Sequence, residues 1–151
     1  MEKPLTAWAN LLKVHAALVR ELDRELRQAH DLPLTWYDVL LELNSAKPDG
    51  RLTMGELSDR VVVISRTRLS RVVDELAAAG LVTRQANPAD RRSSYAVLTD
   101  AGRDRLRQAA PTYLAGIERR FAGHVSAEEA DTVATALRRV LNAHTRAETA
   151  P

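Results

Sequence analysis

The sequence predicts a mainly α fold interrupted by one small β hairpin, and three observations predict it. Apolar residues recur at helical spacing through most of the 151 residues. Residues 64–80, ISRTRLSRVVDELAAAG, carry one apolar face and one basic face. Directly after them come two short strand-like segments joined by a polar turn. A short helix, a turn, a basic helix and then a hairpin is the order of a winged helix-turn-helix, whose second helix lies in the major groove of DNA.

The basic helix organises the rest. With Ser65 as its cap, Leu69, Val72, Val73 and Leu76 fall at i, i+3, i+4 and i+7 and form one stripe. At about 100° per residue, Thr67, Ser70, Arg71 and Asp74 face the opposite way, with Arg66 and Arg68 on the flanks. Between Ile64 and Val73 there are three arginines and no acid, in a chain whose formal net charge is only +2. An anion would dock there. Arg66, Arg68 and Arg71 suit bidentate contact to guanine or contact to phosphate, and Ser65, Thr67 and Ser70 suit phosphates or shorter base contacts. A charged helix face is often merely solvated, and it is the order of the surrounding elements that argues for DNA.

Taken in order, residues 5–30 read as a long helix, because Trp8, Leu11, Leu12, His15, Leu18, Val19, Leu22 and Leu26 recur at helical spacing without Gly or Pro. Asp31-Leu32-Pro33 ends it, since the residue before a proline avoids the α region. Thr35 with Asp38 reads as a capping box that opens a second helix, reaching about Ala46. Lys47-Pro48-Asp49-Gly50 is a turn by composition. Arg51-Leu52 is a candidate short strand, and Thr53 with Glu56 makes a capping box for a third helix, residues 53–61. The β-branched run Val61-Val62-Val63-Ile64 reads as the end of that helix plus the turn, because a strand there would leave the helix too short to pack. Gly80 suits a left-handed cap for the basic helix.

Residues 81–85 and 95–98 are the two strands, joined by ANPADRRSS with Arg91 and Arg92 adjacent at its tip. Beside a basic helix, such a tip is placed to enter a minor groove, where negative potential is concentrated. Thr99 caps a helix over residues 100–121 with Leu106, Ala109, Tyr113, Leu114 and Ile117 in its stripe, and Pro111 inside it predicts a kink or a break. Ser126 and Glu129 form a further capping box for a last helix through Val133, Leu137, Val140 and Leu141. The tail from Thr145 is expected to fray.

The long stripes of residues 5–30 and 100–147 exceed what one small domain needs. They are expected to pair across a two-fold axis, flanking a DNA-binding lobe of residues 34–99 within a single domain of residues 1–151. Such a homodimer sets two basic helices about one DNA turn apart, roughly 34 Å.

Composition removes several other classes. No cysteine is present, which excludes disulfides, thiolate nucleophiles and cysteine-based zinc sites. The four histidines show no metal-ligand spacing, so neither metal nor cofactor is expected. There is no glycine-rich phosphate loop and no nucleophile elbow, which argues against an enzyme. No stretch reaches the length of an apolar membrane span and the first residues lack a secretory pattern, so no membrane partner and a cytoplasmic location are expected. With 22 basic against 20 acidic residues, the placement of charge decides more than its sum. The alternative to a DNA-binding regulator is a helical protein-interaction module without DNA binding, which would keep the long helices but need neither a basic helix nor a basic wing.

The segment LVTRQANPADRRSSYAVLTDAG resembles the wing of the multiple-antibiotic-resistance regulator (MarR) family, with the family's Asp, Arg, Leu-Thr and Gly at Asp90, Arg92, Leu98, Thr99 and Gly102. SRTRLSRVVDELAAAGLV resembles that family's recognition helix, and the preceding Val61 to Ser65 is one residue longer than the family's common turn. The resemblance implies a homodimeric winged-helix regulator of palindromic promoter DNA, most often a repressor released by a small ligand. It implies that Asp90 orients Arg92 and that Arg92 reaches a minor groove. A branch of the family answering to urate is similar in joining a first-helix Trp, a helix-three Asp and the wing Arg, which here are Trp8, Asp59 and Arg92. The same resemblance leaves phenolic acids and other small aromatic or anionic ligands open.

Overall fold

The structure, a computed structural model, describes residues 1–148. Among these residues the backbone builds α1 (Glu2–His30), α2 (Leu34–Ser45), β1 (Arg51–Thr53), α3 (Met54–Arg60), α4 (Arg66–Ala78), β2 (Val82–Ala86), β3 (Ser94–Leu98), α5 (Asp100–Arg120) and α6 (Ala127–Glu148), with one 3-10 turn at Ala122–His124. The chain divides into two compact units, Met1–Leu114 and the part from Ala115 onward. No helix among the described residues is long and apolar enough to cross a membrane.

The stripe of α1 splits in two. Leu22 and Leu26 are buried, whereas Leu5, Trp8, Leu11 and Leu12 lie exposed. The helix stops at Asp31, whose left-handed φ of 49° turns the chain; the Asp31 and Leu32 N–H groups then donate to the carbonyls of Arg27 and Leu26. The next helix starts differently from its sequence pattern. Pro33 occupies the N-cap position of α2 and offers no side-chain cap, and Asp23 of α1 accepts the Leu34 N–H at 2.9 Å instead. Thr35 and Asp38 therefore form no capping box, because a carboxylate from the neighbouring helix already meets the first free N–H.

At the other box the local pattern holds. Thr53 accepts the Glu56 N–H and Glu56 accepts the Thr53 N–H, closing both bonds at the start of α3. The β-branched run after α3 is not a strand, but it is all turn, since α3 ends at Arg60. Its first residue, Val61, is buried. Gly80 takes φ 75°, the left-handed exit expected after α4.

The hairpin gains a third strand. β1 pairs with β3 through Arg51↔Val97, Leu52↔Ala96 and Thr53↔Tyr95, and β2 pairs with β3 from Val82↔Leu98 to Ala86↔Ser94, so the antiparallel order is β1-β3-β2. Leu52, Ala96, Leu98 and Val82 close the inner face. Together with Val39, Leu40 and Leu43 of α2, Leu57 of α3 and Leu69, Val73 and Leu76 of α4, they form the core beneath the helix-turn-helix.

α5 runs as one helix from Asp100 to Arg120 through Pro111, so of the kink or break that the proline predicts, the break does not occur. The proline removes one N–H from a ladder that continues on either side of it, and the helix tolerates that loss. In the second unit, Ser126 and Glu129 complete their capping box, and the hydrogen bonds from Ser126 hold the Glu129 carboxyl below its usual range. α6 reaches Glu148, so residues 145–148 of the expected fraying tail are helical, and residues 149–151 lie outside the described residues.

The root of the wing is joined to α5 at very short range. Thr99 donates to the Gly80 carbonyl at 2.8 Å and accepts the Gly102 N–H at 3.0 Å, which caps α5 and ties it to the end of α4. A Cβ added at Gly102 would stand 2.1 Å from the Leu81 carbonyl oxygen and 2.7 Å from a Leu98 methyl, so only glycine fits. Gly102→Ala should destabilise the fold by about 2–4 kcal/mol, a melting-temperature loss of roughly 2–4 °C per kcal/mol in a chain of this size. Gly80→Ala, which meets open space and only the left-handed backbone penalty, should cost about 1–2 kcal/mol. Thermal denaturation followed by circular dichroism ranks the two, and equal losses would contradict the packing at Gly102.

Candidate nucleic-acid interface

α4 is held from one side only. Leu69, Val72, Val73 and Leu76 are buried, and Arg66, Thr67, Arg68, Ser70, Arg71 and Asp74 are exposed. Ser65 occupies the N-cap position with extended backbone, yet its hydroxyl bonds to the Thr67 hydroxyl at 3.1 Å and caps no N–H. The first turn of the helix is thus left without a side-chain cap, in the arrangement that favours an anion at a helix N-terminus.

The three arginines of α4 are not equivalent. Arg66 Nη2 lies 2.8 Å from Asp59 Oδ1 of α3, and both side chains are well exposed. An exposed pair of this kind contributes about 0–1 kcal/mol and exchanges readily for another anion. Arg68 and Arg71 are exposed and meet no acid within ion-pair distance among the described residues.

The wing tip is built from two successive turns closed by side chains. Asn87 Oδ1 accepts the Ala89 N–H at 3.0 Å, and Asp90 Oδ1 accepts the Arg92 N–H at 3.0 Å. The backbone closes each turn again, Asp90 N–H to the Asn87 carbonyl and Ser93 N–H to the Asp90 carbonyl. Asp90 therefore fixes Arg92 through its backbone, and the guanidinium groups of Arg91 and Arg92 remain exposed.

Arg84 of β2, which the sequence pattern did not single out, links the wing to α4. Its Nη2 donates to the Ser70 carbonyl and hydroxyl, both at 3.2 Å, and lies 3.0 Å from Asp74 Oδ1, while Nη1 donates to the Ser94 hydroxyl at 3.4 Å. Asp74 and Arg84 are ten residues apart on different elements, a spacing with no helical or strand period, so only the fold reveals the pair. The Ser70 hydroxyl accepts from Arg84 and keeps its own proton to donate.

Ser58, Arg66, Ser70, Arg84, Arg92 and Ser94 line one cleft of about 560 Å³ between α3, α4 and the wing. The Ser58 hydroxyl oxygen is buried without a hydrogen-bond partner among the described residues. Guanidinium and hydroxyl donors around an open cleft suit a phosphodiester backbone better than a neutral molecule. Of the three residues compared with a urate site, Asp59 and Arg92 are connected through Arg66, which pairs with the one and lines the cleft of the other. Trp8 stands on the exposed half of α1 and does not line that cleft.

Behind α4, titratable groups crowd α2. Asp38 Oδ2 accepts the Val62 N–H at 3.3 Å in the turn before α4. Burial pushes the Asp38 carboxyl up, against the opposing pull of N–H bonds from Val62 and Val63. Burial and then the Asp38 charge raise Glu42. The rings of Tyr37 and Tyr113 meet at 4.5 Å; burial and then Tyr113 push Tyr37 up to about 12.

Arg84→Ala should cost about 0.5–1.5 kcal/mol, because it removes the hydrogen bonds to Ser70 and Ser94 at the wing root while leaving their acceptors open to water. Arg91→Ala, on the exposed tip, should stay within about 0.5 kcal/mol of wild type. Urea denaturation of both variants checks this, and a neutral Arg84→Ala would show that the wing root holds without its guanidinium.

Comparison with known proteins agrees with this geometry. A family model described as the MarR family matches residues 30–93, which takes in α2, β1, α3, α4, β2 and the wing tip up to the start of β3. The chain is similar to the MarR family transcriptional regulator Sco3205 of Streptomyces coelicolor, solved in complex with DNA, with a TM-score of 0.84, 29% identity and coverage of 95% of this chain and 89% of that one. It is similar to AbsC, a MarR family transcriptional regulator of the same organism, with a TM-score of 0.83, 28% identity and 97% of both chains covered. The HTH-type transcriptional regulator YkoM of Bacillus subtilis (strain 168) is 29% identical over 133 residues, 86% of this chain and 83% of the relative. Winged helix, basic α4 face and whole-chain likeness agree: residues 30–93 match the MarR family, and over nearly its whole length the chain is similar to MarR family transcriptional regulators.

Proposed function

We propose that this regulator works as a homodimeric repressor in the cytoplasm, reading a palindromic promoter site and leaving it when a small amphipathic anion binds. The observation that carries the DNA reading is the polar face of α4, where Arg68 and Arg71 stand exposed without an acid partner among the described residues, next to the cationic wing. In this reading Ser65, Arg66, Thr67, Arg68, Ser70 and Arg71 enter the major groove, and Arg91 and Arg92 lie along the neighbouring minor groove with Asp90 holding the turn. The Asp59 partner of Arg66 gives way to phosphate. The likeness to a relative crystallised with DNA supports the same reading.

The apolar faces support pairing. Leu5, Trp8, Leu12, Val140 and Leu141 are each at least half exposed in one chain, a cost that a second copy removes. Residues 5–30 and 100–147 are the dimerisation helices of this reading, and residues 34–99 the DNA-binding lobe. Trp8, Asp59 and Arg92 are its ligand candidates: an indole to stack an aromatic acid, an arginine to hold its anion, and a carboxylate to accept a ring N–H or hydroxyl.

Operator selection from random DNA followed by gel shift tests the reading. Arg68→Ala or Arg71→Ala should weaken binding to the selected operator by roughly 1–3 kcal/mol if the side chain reads a base, with melting unchanged. Arg92→Ala should weaken all operators alike and lower the salt slope of log affinity by about one unit for each phosphate that is no longer neutralised. Undiminished binding by all three would remove α4 and the wing from the interface. In light scattering the protein should show about twice its 16.7 kDa chain mass, and a monomer active on DNA would sink the two-fold arrangement.

A further inference from the structure

The turn that launches α4 does little to hold itself. Between Arg60 and Arg66 it has no regular structure, and Val62 is 77% exposed. Ser65 commits its hydroxyl to Thr67 and leaves the first turn of α4 uncapped. Its own anchor is Val61, buried, with its N–H donating to the Leu57 carbonyl at 2.9 Å. The other anchor comes from outside. Asp38 of α2 accepts the Val62 N–H at 3.3 Å.

That carboxyl is a costly group to keep there. It is partly buried, its charge is felt by Glu42 of its own helix and Tyr113 of α5, Arg60 of α3 offsets the charge of Glu42, and burial raises both acids. An apolar side chain would avoid the desolvation. What only an acceptor provides is the hold on a backbone N–H in the turn. The residue before it, Tyr37, packs its ring on Tyr113, so α2 is fastened to α5 one residue away from where it grips the turn.

We propose that Asp38 is a positioning residue for base recognition: by holding the Val62 N–H group it sets the direction in which α4 leaves the turn, and with it the placement of Arg66, Thr67 and Arg68. Base contacts demand this, because hydrogen bonds to base edges weaken within a few tenths of an ångström and phosphate contacts are more forgiving. The inference rests on the reading of α4 as the helix that enters the major groove.

The test compares wild type, Asp38→Ala and the nearly isosteric Asp38→Asn on three DNAs at one salt concentration: the selected operator, the operator with its α4-facing bases replaced, and unrelated duplex. Hydrogen exchange at Val62 and Val63 is followed in the same proteins. Asp38→Ala should lose about tenfold of the operator preference, the equivalent of one misread base pair, while binding unrelated duplex as wild type does. Its Val62 amide should exchange faster. Asp38→Asn, whose side-chain oxygen still accepts, should recover most of the preference, which a general loss of stability would not do. Wild-type preference in Asp38→Ala despite faster exchange at Val62 overturns the proposal, as does an Asp38→Asn that has lost as much preference as Asp38→Ala. Should Asp38→Ala fail to fold, Asp38→Asn decides alone: it must keep operator preference together with a protected Val62 amide. A wild-type protein that selects no operator overturns the reading of α4 itself.

Discussion

α4 is gripped from one side and left bare on the other, as a helix proposed to read DNA must be, and most of this fold follows from that constraint. The apolar stripe of α4 buries Leu69, Val72, Val73 and Leu76 and leaves the polar face out of the packing. Four buried aliphatic side chains contribute on the order of 1.5–3 kcal/mol each before entropy is counted, enough to seat a helix of 13 residues whose own cap is missing. The elements behind it serve this seat. α2 supplies the opposing surface, β1 lengthens the wing into a sheet, and Arg84 fixes the distance between wing and helix without entering the tip.

Much of this was legible in the sequence because it is local. The period of the α4 stripe, the Thr53 and Ser126 capping boxes, the left-handed Gly80 and the polar wing tip each depend on residues a few positions apart, and each stands where the pattern put it. What the pattern misplaced is set by partners distant in sequence. Thr35 and Asp38 have the spacing of a capping box, but Asp23 had already taken the N–H at the start of α2, and Asp38 turned to a backbone group 24 residues away. Arg84 carries no periodic signal, and its role exists only once β2 lies against α4. Pro111 shows the converse: a strong local breaker inside a helix that continues on both sides of it.

The same distinction separates the proposed DNA surface from the proposed ligand site. A surface of exposed cations on one face is something a charge pattern reveals. A pocket depends on which side chains meet, and Trp8, Asp59 and Arg92 are drawn from three elements whose mutual placement no spacing encodes. Within one chain, Arg66 pairs with Asp59 and lines the same cleft as Arg92, so in the proposed reading a ligand anion and DNA would compete for one guanidinium.

The close approach at Gly102 makes the wing a cantilever. Its free end carries Arg91 and Arg92, and its fixed end is clamped where the Leu81 carbonyl presses on the first turn of α5, with Thr99 bridging to Gly80. That close approach couples the start of α5 to the strands of the wing, so a displacement of either end is passed to the other. A single added methyl at position 102 would be enough to uncouple the two ends.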